Sequence, residues 1–330
     1  MKALVLEADR QLTFKQVETP AAAPGEAIVQ IKAAALNRRD YWISIGKYAG
    51  IKYPTIPGSD GAGVVTRVGS EADKHWIGKE VIINPGSGWG DNAGFQSDDF
   101  KILGLPQDGT LAEYVKVSAA NLHEKPSNLT WEQAAALPLG GLTTYRALFT
   151  KGKAQKGDKV LVTGIGGGTG TIALQLAIAA GCQVWVTSGS EDKIAHAVQL
   201  GAKGGANYKA EDWAEQLQKM AGGFDVIIDS ALGDGFAKLP DVCNPGARIV
   251  IFGGTAGNMP ALNGRKLFWR QLQIIGTMMG TADEFEQLLQ MVNKHKIIPV
   301  VSEVRPMAEA ADAIMSMEHS NQFGKIVLIN

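Results

Sequence analysis

The feature of the sequence that most constrains its fold is a glycine-rich turn between an apolar strand and an apolar helix. Residues 160–170 read Val160-Leu-Val-Thr-Gly-Ile-Gly-Gly-Gly-Thr-Gly170, and an apolar run continues to Ala180. This order predicts a nucleotide site, because N–H groups and the positive dipole end at a helix start bind pyrophosphate. A turn that binds no nucleotide is the alternative. The residues predicted to line the site are Gly164, Gly167, Gly168, Thr169 and Gly170.

Two kinds of pattern divide the chain. Up to about residue 126, short strand-like runs recur roughly every ten residues, which predicts an irregular β-barrel-like domain. From Val160 onward, apolar strands alternate with amphipathic helices, which predicts a doubly wound parallel sheet covered on both faces. The predicted fold class is therefore α/β. The predicted domains are 1–126, rejoined by 297–330, and a nucleotide-binding domain at 127–296.

The composition of the chain indicates which classes of binding partner to expect. The chain has 330 residues, more than one core usually holds, and a net charge of −1 from 32 basic and 33 acidic residues. This balance gives no electrostatic reason to bind nucleic acid or a membrane, and no apolar stretch is long enough to span one. Two cysteines cannot build a disulfide framework and indicate a reducing compartment. We therefore expect a cytoplasmic protein that acts on a small molecule.

The strand after the glycine turn bears on the choice of dinucleotide. In NAD enzymes an acidic residue at the end of this strand binds the adenosine ribose 2′-hydroxyl. Here Thr187-Ser-Gly-Ser-Glu-Asp-Lys193 has no carboxylate at the strand end, and Ser188 and Lys193 suit a 2′-phosphate instead. Tyr208 is a candidate to cover the same phosphate. The alternatives are a capping box of Ser188 with Glu191, a solvated Lys193 and a packing role for Tyr208.

Metal binding is not expected. The five histidines are widely scattered, the sequence has no Cys-x-x-Cys pair, and no cysteine precedes Cys182. A stable zinc site needs three or four imidazole, thiolate or carboxylate ligands, and no such set can be assembled from the spacing.

Four ordered motifs resemble those of medium-chain dehydrogenases/reductases, and specifically their zinc-free, quinone-oxidoreductase-like (zeta-crystallin-like) branch. Zinc-dependent members carry catalytic ligands where this chain has Asn37, Ser59 and about Leu139. Their structural zinc lobe falls at 84–109, which has no cysteine here. The motifs are the glycine turn, Asn37-Arg-Arg-Asp40, Ile56-Pro-Gly-Ser-Asp-Gly-Ala-Gly-Val-Val65 and Leu137-Pro-Leu-Gly-Gly-Leu-Thr-Thr-Tyr-Arg-Ala-Leu148.

This resemblance implies a GroES-like domain followed by a Rossmann domain that binds NADPH. It places Lys193 and Tyr208 at the 2′-phosphate, and Asn37 and Thr143 beside the nicotinamide. The substrate pocket is expected to contain Trp42, Tyr48 and also Thr143. We expect Asn37 and Tyr48 to be the catalytic hydrogen-bond donors. The strand-end loops implied under the cofactor contain Phe252, Gly253, Thr277 and Met278.

The expected activity is NADPH-dependent, zinc-independent reduction of quinones or activated enones. The alternatives are a zinc-independent alkenal or carbonyl reductase, an alcohol dehydrogenase-like enzyme, and an NADPH-binding sensor with vestigial catalysis. Relatives pair through the edge of the Rossmann sheet, so the resemblance also implies a homodimer, with 273–279 as the candidate edge.

Overall fold

The computed structural model describes residues 1–319 and 321–330. Within them no helix is long and apolar enough to cross a membrane. The strands are β1 Lys2–Leu6, β2 Leu12–Gln16, β3 Glu26–Ala35, β4 Asp60–Val68, β5 Glu80–Ile83, β6 Gly86–Ser87, β7 Lys101–Ile102, β8 Tyr114–Ser118, β9 Leu122–Glu124, β10 Lys159–Val162, β11 Gln183–Ser188, β12 Gly204–Asn207, β13 Phe224–Asp229, β14 Cys243–Ile251, β15 Gln273–Gly276, β16 Val301–Pro306 and β17 Lys325–Ile329. The α-helices are α1 Arg38–Ser44, α2 Trp131–Ala135, α3 Pro138–Tyr145, α4 Gly168–Ala179, α5 Glu191–Gln199, α6 Trp213–Ala221, α7 Gly264–Trp269, α8 Ala282–His295 and α9 Ala310–Ser316.

The first unit comprises residues 1–140 and 280–330. Its main sheet has the order β16-β17-β3-β4-β5-β9, with β8 also paired to β3. Strand β3 pairs with β4 along one side, and with β8 and then β17 along the other. Because both sides of β3 are paired inside the unit, most of its residues are buried. Strand β17 brings residues 325–329 into the same sheet as the N-terminal strands.

The core of this unit lies between the sheet and α9. Val29 and Ile31 of β3 and Val65 of β4 pack in one apolar cluster with Ile314 of α9. The long loop at 84–109 contains the short β6–β7 pair and an edge-to-face contact between Trp89 and Phe100, with ring centroids 5.2 Å apart. This loop is thus ordered by hydrogen bonds and aromatic packing.

The second unit, residues 141–279, is a six-stranded parallel sheet in the order β12-β11-β10-β13-β14-β15. The chain runs outward from β10 to β12 and then returns to β13, beside β10. The strand order therefore reverses between β10 and β13. Open α/β sheets bind ligands at the carboxyl ends of the strands on either side of such a reversal. The glycine turn follows β10 at this place.

The boundaries between the units differ from those the sequence predicts. The division falls after residues 140 and 279, whereas the sequence places it after 126 and 296. Helix α2 contacts β3, β4 and β17 of the first unit, and His123 contacts Phe285 of α8, with ring centroids 4.9 Å apart. Helical periodicity marks α2 and α8 as helices but does not identify the sheet on which each one packs.

Candidate functional site

The glycine turn forms an open cradle at the start of α4. Gly164 and Gly166 have φ values of +62° and +152°, which side chains with a Cβ rarely adopt. Gly164 and Gly167 are exposed, with no heavy atom of another residue within 4 Å of the place where a Cβ would stand. Gly167 is the N-cap of α4, and no side chain caps the helix. The first N–H groups of α4 thus lie at an open surface that fits an anionic group.

Lys193 of α5 lies directly against this turn. A Cβ at Gly166 would stand 3.0 Å from Lys193 Cδ and 3.2 Å from its Nζ, so the lysine occupies the space that glycine leaves free. Partial burial lowers the pKa of the Lys193 ammonium. The side chain is half-buried rather than fully solvated, and its charge lies beside the cradle.

Ser188 and Tyr208 lie at the carboxyl ends of the neighbouring strands β11 and β12. Ser188 ends β11, and its Oγ accepts a hydrogen bond from Ser190 N (3.2 Å). Tyr208 follows β12 and is 49% exposed, with its hydroxyl 2.7 Å from the place of a Cβ on Gly189. Lys209 Cε lies 2.9 Å from the same place, a second lysine that the sequence argument missed. Tyr208 is thus too exposed to serve core packing alone.

The capping-box alternative for Ser188 is wrong. Ser190, not Ser188, is the N-cap of α5, and its side chain makes no capping hydrogen bond. Glu191 instead accepts a hydrogen bond from Asn207 Nδ2 (2.8 Å). Strand β11 extends to Ser188, so this serine lies before the helix entry.

The remaining predicted cofactor residues follow β14 and β15, and the predicted substrate-pocket residue Thr143 lies in α3. A Cβ at Gly253 would come within 2.6 Å of Ser230 O, so this position requires glycine. Thr277 Oγ1 is buried and has no hydrogen-bond partner among the described residues, which leaves it available to a ligand. Thr143 is buried, and its hydroxyl lies 3.9 Å from Met279 Sδ. Phe252 and Met278 are half-buried neighbours of these positions.

The first unit contains a separate buried polar cluster of Asn37, Asp60 and Lys325. Asn37 Nδ2 donates to Asp60 Oδ2 (2.9 Å), and Lys325 Nζ donates to Asn37 Oδ1 and to Asp60 Oδ2 (2.8 Å each). Asp60 Oδ1 accepts from the Leu139 N–H (2.8 Å). Asp60 is fully buried and Lys325 is 4% exposed. The carboxylate, the ammonium and the amide are thus hydrogen-bonded to one another, as buried charges require.

Asp40 and Arg39 of α1 adjoin this cluster. Asp40 Oδ2 accepts from Asn37 N (2.7 Å), which fixes the start of the helix. Burial raises the pKa of Asp40, and the Arg39 charge opposes that shift. Arg39 donates to Ser59 Oγ (2.5 Å) and Leu103 O (2.8 Å). It therefore ties α1 to the loop at 84–109.

Arg39 also links the cluster to the predicted substrate aromatics. Its guanidinium carbon lies 5.2 Å from the centroid of the Tyr48 ring. Tyr48 packs on Leu6 and Ile43 and remains partly exposed. Trp42 meets Tyr41 edge to face, with centroids 5.3 Å apart, and packs on the core of the unit. Both aromatic rings are therefore held in place by the protein itself.

The residues at the predicted zinc-ligand positions do not fit zinc. Asn37 offers an amide and Ser59 a hydroxyl, and position 139 contributes its backbone N–H to Asp60. The Lys325 ammonium already bonds to Asn37 and Asp60, where a second cation would be repelled. Within residues 1–319 and 321–330, no group of three or more His, Cys, Asp or Glu side chains could hold a metal. This donor set is compatible with the zinc-free branch.

Asp60 and Lys325 are the functional candidates that sequence reasoning missed. Asp60 stands inside a quoted motif, and Lys325 is the one charged residue of the apolar strand β17. A lysine in an otherwise apolar strand was the sequence signal that could have identified Lys325, because a buried charge requires a partner.

Two family profiles match the chain. One, described as alcohol dehydrogenase GroES-like domain, covers residues 23–127, and the other, described as zinc-binding dehydrogenase, covers residues 168–294. With the sheet orders above, they confirm the predicted GroES-like domain and the Rossmann-type parallel sheet.

Curated relatives match nearly the whole chain. The zinc-type alcohol dehydrogenase-like protein YogA of Leptosphaeria maculans is 34% identical over 338 residues, covering 96% of this chain and 94% of the relative. The quinone oxidoreductase of Rattus norvegicus is 28% identical over 323 residues, covering 95% of this chain and 92% of the relative.

Solved structures agree with this assignment. An NAD-dependent alcohol dehydrogenase superposes with a TM-score of 0.94 at 36% identity over the full length of both chains. A 2-octenoyl-CoA carboxylase reductase in complex with NADP and 2-octenoyl-CoA superposes with a TM-score of 0.89 at 25% identity, covering 99% of this chain and 87% of that one. Similar proteins thus include both NAD-dependent and NADP-bound enzymes.

Proposed function

Because the chain belongs to the medium-chain dehydrogenase/reductase superfamily and is an oxidoreductase of that type, we propose that it reduces quinones or other activated enones with NADPH and without zinc. The observation that carries the choice of cofactor is the Lys193 ammonium against Gly166. The rival hypotheses are a zinc-independent alkenal or carbonyl reductase, an alcohol dehydrogenase-like enzyme and an NADPH-binding sensor.

The cofactor site is proposed from the second unit. The cradle of Gly164, Gly167, Gly168, Thr169 and Gly170 would hold the pyrophosphate. Ser188 ends β11, at the position where NAD enzymes have an acidic residue. Two ammonium groups, of Lys193 and Lys209, and the phenol of Tyr208 would bind a 2′-phosphate there. The loops at Phe252, Gly253, Thr277 and Met278 and the side chain of Thr143 would contact the rest of the cofactor.

The chemistry is proposed to use Asn37 as the main hydrogen-bond donor. NADPH, when bound, supplies the hydride. An amide has two N–H groups, and Asp60 takes one of those of Asn37. The other would donate to the substrate oxygen on which negative charge develops. Tyr48 is proposed as a second donor, and Trp42 as a wall for a flat substrate.

The direct test is NADPH oxidation by the purified protein against quinones, alkenals and simple aldehydes, each with and without a chelator. We expect turnover of quinones or enones that the chelator does not change. Turnover only of alkenals or simple aldehydes would favour the rival enzymes, and an activity lost with chelator would contradict zinc independence. Tight NADPH binding without turnover of any acceptor would favour the sensor.

The affinity for NADPH is expected to fall as the pH rises through the pKa of Lys193, which lies below that of an ordinary lysine. The ammonium of Lys193 is charged below its pKa, and burial places that pKa below the ordinary lysine value of about 10.4. The 2′-phosphate keeps its second charge above pH of about 6. Fluorescence titrations at a series of pH values, from neutrality up to the pKa of Lys193, would measure the Kd of NADPH. NADH, which lacks the 2′-phosphate, is the control. A parallel loss for both cofactors would contradict the assignment.

We also propose a homodimer through the edge strand β15. This strand ends the sheet order, so one side of its backbone has no partner strand within the unit. Phe268 and Trp269 of the preceding helix α7 are 68% and 82% exposed, unusual values for large apolar side chains. Two exposed aromatic side chains, a few residues before a strand with an open edge, fit an interface with a second copy of this chain.

Trp269→Glu is expected to shift the protein from dimer to monomer at micromolar concentration, because a carboxylate in an apolar interface loses its hydration without gaining a partner. Light scattering after gel filtration would measure the mass. Met220→Glu on α6, a half-exposed apolar position of the same unit, is the matched control and should leave the dimer intact. A monomeric wild type would refute the proposed interface.

The proposed location remains the cytoplasm. Cys182 and Cys243 are both free and buried. Burial raises the pKa of the Cys182 thiol to about 11 and that of Cys243 to about 12, so both stay protonated and unreactive at neutral pH. Free thiols of this kind suit a reducing compartment.

A further inference from the structure

Lys325 is a buried lysine for which the proposed hydride transfer has no direct use. It is 4% exposed, on a strand whose other residues are apolar, and both of its side-chain hydrogen bonds go to the Asn37–Asp60 pair. Burying an ammonium costs free energy, and a buried ion pair is often no more stabilising than apolar residues of the same volume. Stability alone is therefore a weak reason for a lysine at this position.

The ammonium determines which way the Asn37 amide faces. A lysine can only donate hydrogen bonds, and an ionised Asp60 can only accept them. The amide must therefore present its oxygen to Lys325 and its nitrogen to Asp60, as the distances of 2.8 Å and 2.9 Å require. A flipped amide would place N–H against ammonium and oxygen against carboxylate. Two opposite charges thus hold the amide in one orientation.

The orientation also fixes the donor that remains. The second N–H of Asn37 has no protein partner among the described residues, and the residue is 7% exposed. Since Asp60 is further held by the Leu139 N–H, the whole arrangement is anchored to the backbone on one side and to β17 on the other. Asn37 is therefore preorganised, which is the condition under which a hydrogen-bond donor contributes most to catalysis.

We propose that Lys325 is a positioning residue, which locks the Asn37 carboxamide so that its remaining N–H meets the substrate oxygen. This inference rests on the proposed function, because it assumes that Asn37 binds the reacting oxygen. Lys325 places a positive charge beside Asn37, one of the positions at which zinc-dependent relatives have a metal ligand, and it would act on the substrate only through the orientation of the Asn37 amide.

The test uses a double substitution, because removing Lys325 alone leaves Asp60 as an unpaired buried charge. Lys325→Met with Asp60→Asn keeps the volume and an acceptor for the Leu139 N–H but removes both charges. We expect kcat with the best acceptor to fall by about 10-fold or more, in line with the loss of part of an oxyanion donor's effect. The KM for NADPH should not change. Lys294→Met, on the exposed face of α8, is the control that keeps full activity.

A double-mutant cycle separates positioning from a structural role. If Lys325 acts through Asn37, the same charge removal should change kcat by less than about 2-fold in an Asn37→Ala background. An equal fall in both backgrounds, or a folded double variant with wild-type kcat, would overturn this inference while leaving the proposed function standing. A wild type that reduces no acceptor in the panel would overturn the proposed function and this inference together.

If the double variant does not fold, Lys325→Gln replaces it in the same cycle. Glutamine can still donate to Asn37 Oδ1, but it lacks the charge and can also accept, so the amide is no longer forced into one orientation. The expected result is again a lower kcat only where Asn37 is present, and an unchanged kcat would overturn the inference.

Discussion

Lys193→Met is expected to raise the Kd for NADPH by about 10- to 100-fold and to leave that for NADH almost unchanged, since a hydrogen bond to a charged group contributes about 1.5–3 kcal/mol. The ammonium lies beside Gly166 at the open turn, where the substitution keeps the apolar stem of the side chain and removes only its charge. Isothermal titration with both cofactors would measure the change.

The matched control for this experiment is Lys219→Met, which removes a lysine on the exposed surface of α6. It changes the net charge of the protein by the same amount, so it reports any long-range electrostatic effect. Wild-type affinity for both cofactors is expected. A wild type that prefers NADH, or a Lys193→Met protein that loses both cofactors equally, would show that Lys193 does not select the 2′-phosphate.

Asn37→Ala is expected to lower kcat by about 100-fold or more, the typical cost of removing one oxyanion donor. The Kd for NADPH should be unaffected, because the proposed cofactor contacts lie in the second unit. Steady-state kinetics with the best quinone or enone, together with NADPH titration, would measure both quantities. Retention of wild-type turnover would show that another group stabilises the developing charge.

This substitution also removes a partner of Asp60 and Lys325, so loss of activity must be distinguished from loss of folding. Thermal unfolding of Asn37→Ala would show whether the first unit still forms. Asn293→Ala, at an exposed position of α8, is the matched control and should keep both the wild-type melting temperature and the wild-type kcat.

The sequence predicted those parts of the molecule that are set by neighbours along the chain. The strand, glycine turn and helix at 160–180 form the pattern β10, turn, α4, because backbone geometry and apolar periodicity act over a few residues. The position of Ser188 at the end of a strand was predicted for the same reason, because it depends only on the residues next to it in the chain. The alternative of a capping role for Ser188 is wrong because β11 runs through Ser188, which moves the helix entry to Ser190.

The polar cluster could not be predicted in the same way. Lys325 is 288 residues from Asn37 and 265 residues from Asp60, and no periodicity connects such positions. Their contact depends on β17 pairing with β3, a result of the whole sheet. The predicted boundaries placed α2 and α8 in the wrong unit for the same reason. Their helical patterns are clear in the sequence, but the sheet on which each helix packs is set by tertiary structure.

The discontinuity of the first unit has a consequence for synthesis on the ribosome. The second unit is one continuous segment, residues 141–279, so all of its residues are available for folding once that segment has emerged. The Asn37–Asp60–Lys325 cluster must wait until residue 325 is translated. On the proposed function, the nascent chain therefore contains its whole dinucleotide site before it has assembled the groups proposed to act on the substrate, and catalytic competence is expected to be the last property that it acquires.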